Sequence, residues 1–309
     1  MGAAEWDGLT KMSNRDTFSG YHPIINFLYF GLVLVFSMFF THPICLFISA
    51  ASAAAYSVYL RGARSVHRML AYILPMALLA AAINPAFSHE GVTTLAYLPS
   101  GNPLTLESIA YGLAAAVMLG SVILWFSCYN EVMTSDKFVY LFGRIIPALS
   151  LVLSMTLRFV PRFSARSRIV ADARRGIGHG TASGGMLRRA MSGLTVLSVM
   201  VTWSLETAIE TADSMKSRGY GLPGRTSFSI YRFDGRDRAA LAWLVFCGTY
   251  IISGWICGGL SFRYYPAMKG TPLTAFPASF MLAYLALCVT PLIMNFWEDR
   301  TWKHLTSAI

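Results

Sequence analysis

Residues 24–41, IINFLYFGLVLVFSMFFT, contain no charged residue and are long enough to cross the hydrocarbon core of a bilayer as one helix. The chain is 55% hydrophobic and only 13% charged, about half the charged fraction of a typical soluble domain. Five more uncharged runs of similar length follow, at 44–60, 69–87, 109–130, 239–260 and 277–297. The sequence therefore predicts an all-α polytopic membrane protein with about six transmembrane helices, rather than a protein built on a single soluble core.

The basic residues beside these runs predict the orientation of the chain, because Lys and Arg accumulate on the cytoplasmic side of membrane proteins. The loop over residues 88–108 contains neither Lys nor Arg, which places it outside, and only Arg263 and Lys269 depart from the pattern. We expect a multi-pass plasma-membrane protein with both termini in the cytoplasm. The residues that indicate the inner side are Lys11, Arg15, Arg61, Arg64, Arg68, Arg300 and Lys303.

Residues 137–238 carry the whole net charge of +10, with sixteen Lys and Arg against six Asp and Glu. Such an excess can attract nucleic acid or anionic lipid. In a chain with membrane spans, it first indicates the cytoplasmic side, and part of it could meet acidic surfaces of a partner. We therefore predict three regions and no nucleic-acid partner: four spans within 1–136, a cytoplasmic region over 137–238, and two spans within 239–309.

Two shorter apolar stretches, 145–157 and 190–205, fall inside the cytoplasmic region. They contain 13 and 16 residues, fewer than the roughly 20 that a membrane-spanning helix needs. If both crossed, eight arginines would lie outside, against the usual bias of basic residues. We interpret both stretches as helices that lie at the membrane surface or against other helices. The eight arginines are Arg158, Arg162, Arg166, Arg168, Arg174, Arg175, Arg188 and Arg189.

The cytoplasmic region also predicts two long helices that end alike. The first begins near Pro161, because proline favours the first helical position, and ends at Arg174-Arg175-Gly176. The second spans roughly 187–218 and ends at Ser217-Arg218-Gly219. Glycine can close a helix in the left-handed conformation and arginine suits its negative end, so one such end could be only a cap. Two of them suggest guanidinium forks that dock in two equivalent grooves of a partner, such as an ATPase dimer.

Two segments resemble the transmembrane T components of energy-coupling factor transporters. The segment LRFVPRFSARSRIVADARRG (157–176) is similar to the first coupling motif of that family, and ADSMKSRGYGLPGRT (212–226) to the second. The resemblance covers residues 140–226. It implies that two coupling helices insert arginine tips into two ABC ATPase subunits, while a substrate-binding S component captures a vitamin or metal ion. By motif position the coupling residues are Arg175 with Gly176, and Arg218 with Ser217 and Gly219; Arg174 could share or take the first role.

Other signals favour neither catalysis nor a cofactor. The glycine-rich segment 176–185 lacks the Gly-Lys-Ser/Thr ending of a phosphate-binding loop, the five cysteines form no C-x-x-C pair, and the histidines are scattered. We expect no metal, no cofactor and no enzymatic activity, with ATP hydrolysis left to the partner subunits. The alternatives are a permease of another ABC class, which would use one coupling loop, and a secondary transporter, although the predicted spans bury no acidic residue.

Overall fold

The computed structural model describes residues 16–88, 90–97, 103–143, 147–178, 185–222, 231–272 and 274–307. Most of these residues are helical. A single 3-10 turn at Phe18–Gly20 precedes the first helix. The α-helices are α1 Pro23–Phe39, α2 Pro43–Arg61, α3 Ala63–Phe87, α4 Leu106–Val132, α5 Ser135–Gly143, α6 Pro147–Gly176, α7 Met186–Ser217, α8 Gly235–Ile256 and α9 Ala275–Ser307. Two short antiparallel hairpins pair β1 Thr94–Tyr97 with β2 Pro103–Thr105, and β3 Phe262–Arg263 with β4 Lys269–Gly270.

Each of the six predicted spans coincides with a helix, namely α1 to α4, α8 and α9. The chain is therefore an all-α polytopic membrane protein, as its composition predicted. Four of these six helices are both long and apolar enough to cross a membrane, while α1 and the apolar part of α3, Ile73–Phe87, are shorter. A fifth segment of sufficient length and composition, Ala190–Ser217, lies in α7, which we predicted to be cytoplasmic.

The predicted start of the first long cytoplasmic helix at Pro161 is wrong, because α6 begins at Pro147 and carries Pro161 in its interior. An internal proline removes one backbone hydrogen bond and crowds the preceding turn. Leucines and a methionine before Pro161, and arginines and alanines after it, favour the helix, so the helix continues through it. The apolar stretches 145–157 and 190–205 are accordingly not separate helices where they are described. They form the first part of α6 and of α7.

The chain divides into two compact units, which we call the body and the middle unit. The body consists of residues 1–134 and 231–309, and the middle unit of residues 135–230. Within the body, α4 packs against α2 and α3, and α9 packs against α2 and α8. Its centre is rich in fully buried aromatic side chains, including those of Tyr29, Phe30, Tyr56, Trp125 and Tyr284.

A chain of buried hydrogen bonds joins four helices of the body. The indole Nε1 of Trp125 donates to Ser49 Oγ at 3.1 Å, and Ser49 Oγ lies 2.6 Å from Ser37 Oγ. The Ser37 hydroxyl in turn lies 3.1 Å from the hydroxyl of Tyr284. Because lipid offers no hydrogen-bond partners, polar groups within a membrane span must satisfy one another. These four side chains therefore fix how α1, α2, α4 and α9 face each other.

Glycines allow two helix pairs of the body to approach closely. A Cβ atom on Gly112 of α4 would lie 2.6 Å from the carbonyl oxygen of Ala81 in α3. A Cβ atom on Gly254 of α8 would clash with the Phe280 ring in α9. Such contacts are typical of membrane helices, where close packing replaces the hydrophobic driving force of water.

The same histidine-proline pair begins the first two helices. His22 precedes Pro23 at the start of α1, and His42 precedes Pro43 at the start of α2. In each case the imidazole Nδ1 accepts a hydrogen bond from the backbone N–H two residues later, at 3.3 Å. Both rings are buried, so burial lowers the pKa of each imidazole, although the nearby Asp237 carboxylate opposes this shift at His22.

Candidate functional site

The candidate site is the pair of helices α6 and α7 in the middle unit. The ring of Phe159 stacks on that of Trp203 with centroids 5.9 Å apart, and the guanidinium of Arg166 lies 5.6 Å from the Trp203 ring. Nearer the end of α6, Arg174 Nη1 donates to the Ser192 carbonyl oxygen at 3.3 Å. Contacts later in α6 thus fall earlier in α7, which shows that the two helices run in opposite directions.

This arrangement separates the two predicted arginine tips. The end of α6 lies beside Ser192, and Arg218 follows Ser192 by 26 residues along α7. At the rise of an α-helix, those residues cover about 39 Å. The two tips are therefore at different places on the middle unit, and one small ligand could not bridge them.

The first tip departs from the predicted geometry at its glycine. Gly176 is the last residue of α6 and does not adopt the left-handed conformation. Gly178 does, with φ of +79°, and its N–H donates to the Arg175 carbonyl oxygen at 3.1 Å. The helix therefore ends at Gly176 as predicted, but the left-handed conformation that closes it falls on Gly178, two residues later.

The adjacent arginines at this tip have different environments. Arg174 is half-buried, and its guanidinium donates a hydrogen bond to the Ser192 carbonyl oxygen of α7. Arg175 is 61% exposed and pairs with Asp172 Oδ1 at 3.2 Å, one turn earlier on the same helix. An exposed ion pair of this kind contributes only about 0–1 kcal/mol. A partner could therefore recruit Arg175 at little cost, whereas recruiting Arg174 would break a contact between the two helices.

The second tip closes as its sequence predicted. α7 ends at Ser217, Arg218 is the exposed C-cap residue, and Gly219 is left-handed with φ of +72°. The N–H of Gly219 donates to the Lys216 carbonyl oxygen and that of Tyr220 to the Met215 carbonyl oxygen, each at 3.0 Å. These two bonds form a Schellman motif, which requires a residue that tolerates positive φ at Gly219.

The two tips consequently differ in shape although their sequences look alike. Arg218 stands directly before its left-handed glycine, whereas Arg175 stands three residues before Gly178. Helical side chains lean toward the N-terminus, so Arg175 folds back toward Asp172. The side chain of Arg218 projects from a residue that follows the last regular turn of α7. The hydroxyl of the neighbouring Ser217 donates to the Ser214 carbonyl oxygen within α7.

Much of the α7 surface is uncovered. Only 6% of the most apolar stretch within Ala190–Ser217 is buried, compared with 44% of the corresponding stretch in α2. The acidic side chains of Glu206, Glu210 and Asp213 are exposed, and so are apolar residues beside them. The uncovered apolar residues include Met186, Leu187, Met191, Leu194, Leu197, Leu205 and Ile209. An exposed apolar surface this extensive marks a site for other proteins or for lipid.

The aromatic contact between α6 and α7 was not predicted. Phe159 and Trp203 lie in runs that we interpreted only by their hydrophobicity and arginine spacing. Phe159 has Arg158 and Val160 beside it, and Trp203 has Thr202 and Ser204; large aromatic side chains dominate the energetics of packed contacts. That signal could have identified the pairing of α6 with α7 before the structure was known.

No protein-family model matches the chain. Curated relatives share the name energy-coupling factor transporter transmembrane protein EcfT. The protein from Lactobacillus helveticus is 34% identical over 101 residues, which is 32% of this chain and 36% of that protein. The Lacticaseibacillus paracasei protein is 30% identical over 110 residues, 35% of this chain and 40% of that protein. The Leuconostoc gelidum protein is 27% identical over 119 residues, 38% and 44% of the two chains.

The match to these relatives spans less than half of their length. Within that limit it confirms the resemblance predicted from the two arginine motifs. The chain is a homologue of EcfT proteins over about a third of its own length.

Proposed function

We propose that this chain is the transmembrane coupling subunit of an energy-coupling factor transporter, and that it passes ATP-driven motion from two ATPase subunits to an S component. In this proposal the chain lies in the plasma membrane with both termini in the cytoplasm. ATP is hydrolysed by the ATPase subunits, and the S component binds a vitamin or a metal ion. The relatives named EcfT support the class of transporter.

The observation that carries the proposal is the pair of exposed arginine tips at separate ends of the middle unit. Within the part of the chain that the structure describes, Arg175 pairs with an exposed partner on its own helix, and Arg218 extends from a cap closed by two backbone hydrogen bonds. Each guanidinium can offer a planar fork of donors to carboxylates or carbonyl oxygens on one ATPase subunit. A spacing of about 39 Å along α7 suits two separate protein partners.

The uncovered apolar surface of α7 supports a second contact in the same proposal. The exposed aliphatic and methionine side chains along its first half offer a broad apolar surface for the S component. Methionine adapts to partners of different shape, because its side chain is flexible and polarisable. Motion of the arginine tips would reach that surface through the contacts of Arg174 and Trp203 between α6 and α7.

The proposal is tested by co-purifying the ATPase subunits with arginine variants of the full chain. Removing one partner of a buried charged pair at an interface costs about 2–5 kcal/mol. Arg175→Ala and Arg218→Ala should each weaken ATPase retention at least about thirtyfold, and the double variant should abolish it together with transport. Lysine at either position should restore little, because an ammonium cannot reproduce the fork.

Arg168→Ala is the matched control, because Arg168 is an exposed arginine on α6 that lies outside both tips. It should retain the ATPases and transport as the unaltered protein does. Arg174→Ala should loosen the packing of α6 on α7 more than it weakens ATPase binding. If the double Arg175→Ala, Arg218→Ala variant keeps the ATPases and transports normally, the two arginines only cap helices and the proposal fails.

A further inference from the structure

One face of α6 remains without an assigned role. Met155, Arg158, Arg162, Ala165 and Ile169 recur at intervals of three and four residues, so they share one side of the helix. The row extends over about 21 Å of helix axis. We call these five residues the arginine face.

The arginine face is exposed and is distinct from the tips. Met155 is 37% and Ile169 58% exposed, and Arg158, Arg162 and Ala165 are exposed as well. Among the residues that the structure describes, neither Arg158 nor Arg162 forms an ion pair. The contacts with α7 involve the flank of the helix next to this face, at Phe159, Arg166 and Arg174.

Polarity changes along α6 in one direction. Residues 147–157 carry no charge, and Val152 among them is 59% exposed. From residue 158 onward the helix carries six arginines and one acidic residue, Asp172. The exposed surface of α6 thus passes from purely apolar to basic with interspersed aliphatic residues.

We propose that the arginine face of α6 binds the headgroups of anionic phospholipids, so that the first half of α6 lies in the membrane interface. A bilayer presents acyl chains and phosphates in adjoining layers, which matches adjoining apolar and basic segments on one helix. Aliphatic side chains between the arginines would enter the acyl boundary, while the guanidinium groups contact phosphates. Each basic residue near an anionic leaflet strengthens such binding about fivefold.

A protein with an acidic surface is the competing occupant. It would account for Arg158 and Arg162 but leave the exposed apolar run that precedes them without a matching environment. The bilayer satisfies both segments with one partner that a membrane protein always has beside it. The inference concerns residues other than Arg175 and Arg218, so it can fail while the proposed coupling function holds, and the reverse.

The test places a fluorophore on the face of the full-length protein. Cys257, an exposed thiol, is first replaced by serine, and Ala165→Cys is then labelled with a polarity-sensitive dye. The protein is reconstituted without partners in vesicles that carry a spin-labelled headgroup lipid as quencher. The vesicles contain either phosphatidylcholine alone or equal parts of phosphatidylcholine and phosphatidylglycerol. Ala212→Cys on α7 is the matched control, because Ala212 is also an exposed alanine of the middle unit.

We expect phosphatidylglycerol to increase quenching at position 165 at least twofold and to leave position 212 unchanged. Raising the salt concentration to about 1 M should reverse the increase, because it shortens the screening length to about 3 Å. Arg158→Gln with Arg162→Gln should abolish the lipid dependence, and the double lysine variant should keep it, since headgroup attraction needs charge rather than a fork. Arg263→Gln, on β3 of the body, should have no effect.

Three results would overturn the inference. The first is quenching at position 165 that does not depend on phosphatidylglycerol. The second is an equal increase at positions 165 and 212, which would mean that no particular face is responsible. The third is loss of ATPase retention in the double glutamine variant with its lipid dependence intact, which would assign the face to a protein partner.

Discussion

Similar side chains are buried in the body and exposed or half-buried in the middle unit. In the body, Trp125 is completely buried and its indole N–H bonds to Ser49 at the meeting point of four helices. In the middle unit, Trp203 is only half-buried, beneath the Arg166 guanidinium, and large apolar residues around it are exposed. The polar chain at the centre of the body is satisfied internally, whereas the middle unit leaves both charge and apolar surface for partners. This difference indicates which unit is scaffold and which is interface.

The most decisive test of this contrast is sidedness. In a background without Cys257, Leu95→Cys on β1 should react with a membrane-impermeant maleimide added to intact cells. Ala212→Cys on α7 should react only after the membrane is permeabilised, because the basic residues of the middle unit favour the cytoplasm. The readout is labelled protein before and after permeabilisation. Labelling of position 212 from outside would mean that Ala190–Ser217 crosses the membrane, and the middle unit would then no longer be a cytoplasmic interface.

A second test compares the same substitution in the two units. Trp125→Ala removes a buried indole and should destabilise the body by about 3–5 kcal/mol. The midpoint of thermal unfolding should fall by about 10 °C. The four buried cysteines provide the readout, because a thiol-reactive dye reaches them only when the body opens; they are Cys45, Cys128, Cys247 and Cys288.

Trp203→Ala should leave that midpoint unchanged, because all four reporting thiols belong to the body. Within the middle unit it should cost about 1–2 kcal/mol, from the loss of its aromatic stack and its cation–π contact. A fall in the dye midpoint as large as that of Trp125→Ala would show that the two units do not unfold separately.

The smallest expected effect concerns pH and the body alone. Burial lowers the pKa of His22 and His42 in the folded protein, whereas the same imidazoles protonate near pH 6.5 in the unfolded chain. The two neutral imidazoles therefore stabilise the folded state fully above about pH 6.5, and this stabilisation is lost as the pH falls through the lower folded pKa. Protonation removes the Nδ1 acceptor and with it about 1 kcal/mol at each helix start.

Asparagine at both positions keeps an acceptor but does not titrate. At pH 7.5 the double variant His22→Asn, His42→Asn should have about the same midpoint of thermal unfolding as the unaltered protein. Between pH 7 and pH 5 its midpoint should fall less than that of the unaltered protein. Thermal unfolding read by the buried thiols measures the difference. If the double variant is as sensitive to acid as the unaltered protein, the histidine caps do not account for the pH dependence.

The sequence was sufficient for the features that one dominant force controls. Bilayer thickness demands long uncharged runs, so all six predicted spans coincide with helices. The end of α7 was also predictable, because the first glycine after Arg218 is the one that turns left-handed. Both predictions depend on local sequence alone.

Features that depend on a neighbouring helix were missed. Pro161 can begin a helix or interrupt one, and only the continuous helix from Pro147 decides between these. Gly176 and Gly178 are equally able to close α6, and the structure uses the second. Arg174 and Arg175 differ by one position, but the proximity of Ser192 engages the first and leaves the second exposed.

The repeated histidine-proline start of α1 and α2 has a consequence for the two compartments that the membrane separates. α1 extends for about 25 Å between the two histidine-proline pairs, so an α1 that spans the membrane places His22 on one side of it and His42 on the other. Each imidazole then equilibrates with its own compartment. An acidic medium around a cell with a neutral interior would uncap α2 while α1 keeps its cap. Hydrogen exchange at the amides of Ile44 and Ile24, with acid applied to one side of the membrane only, would measure the loss of each histidine cap separately.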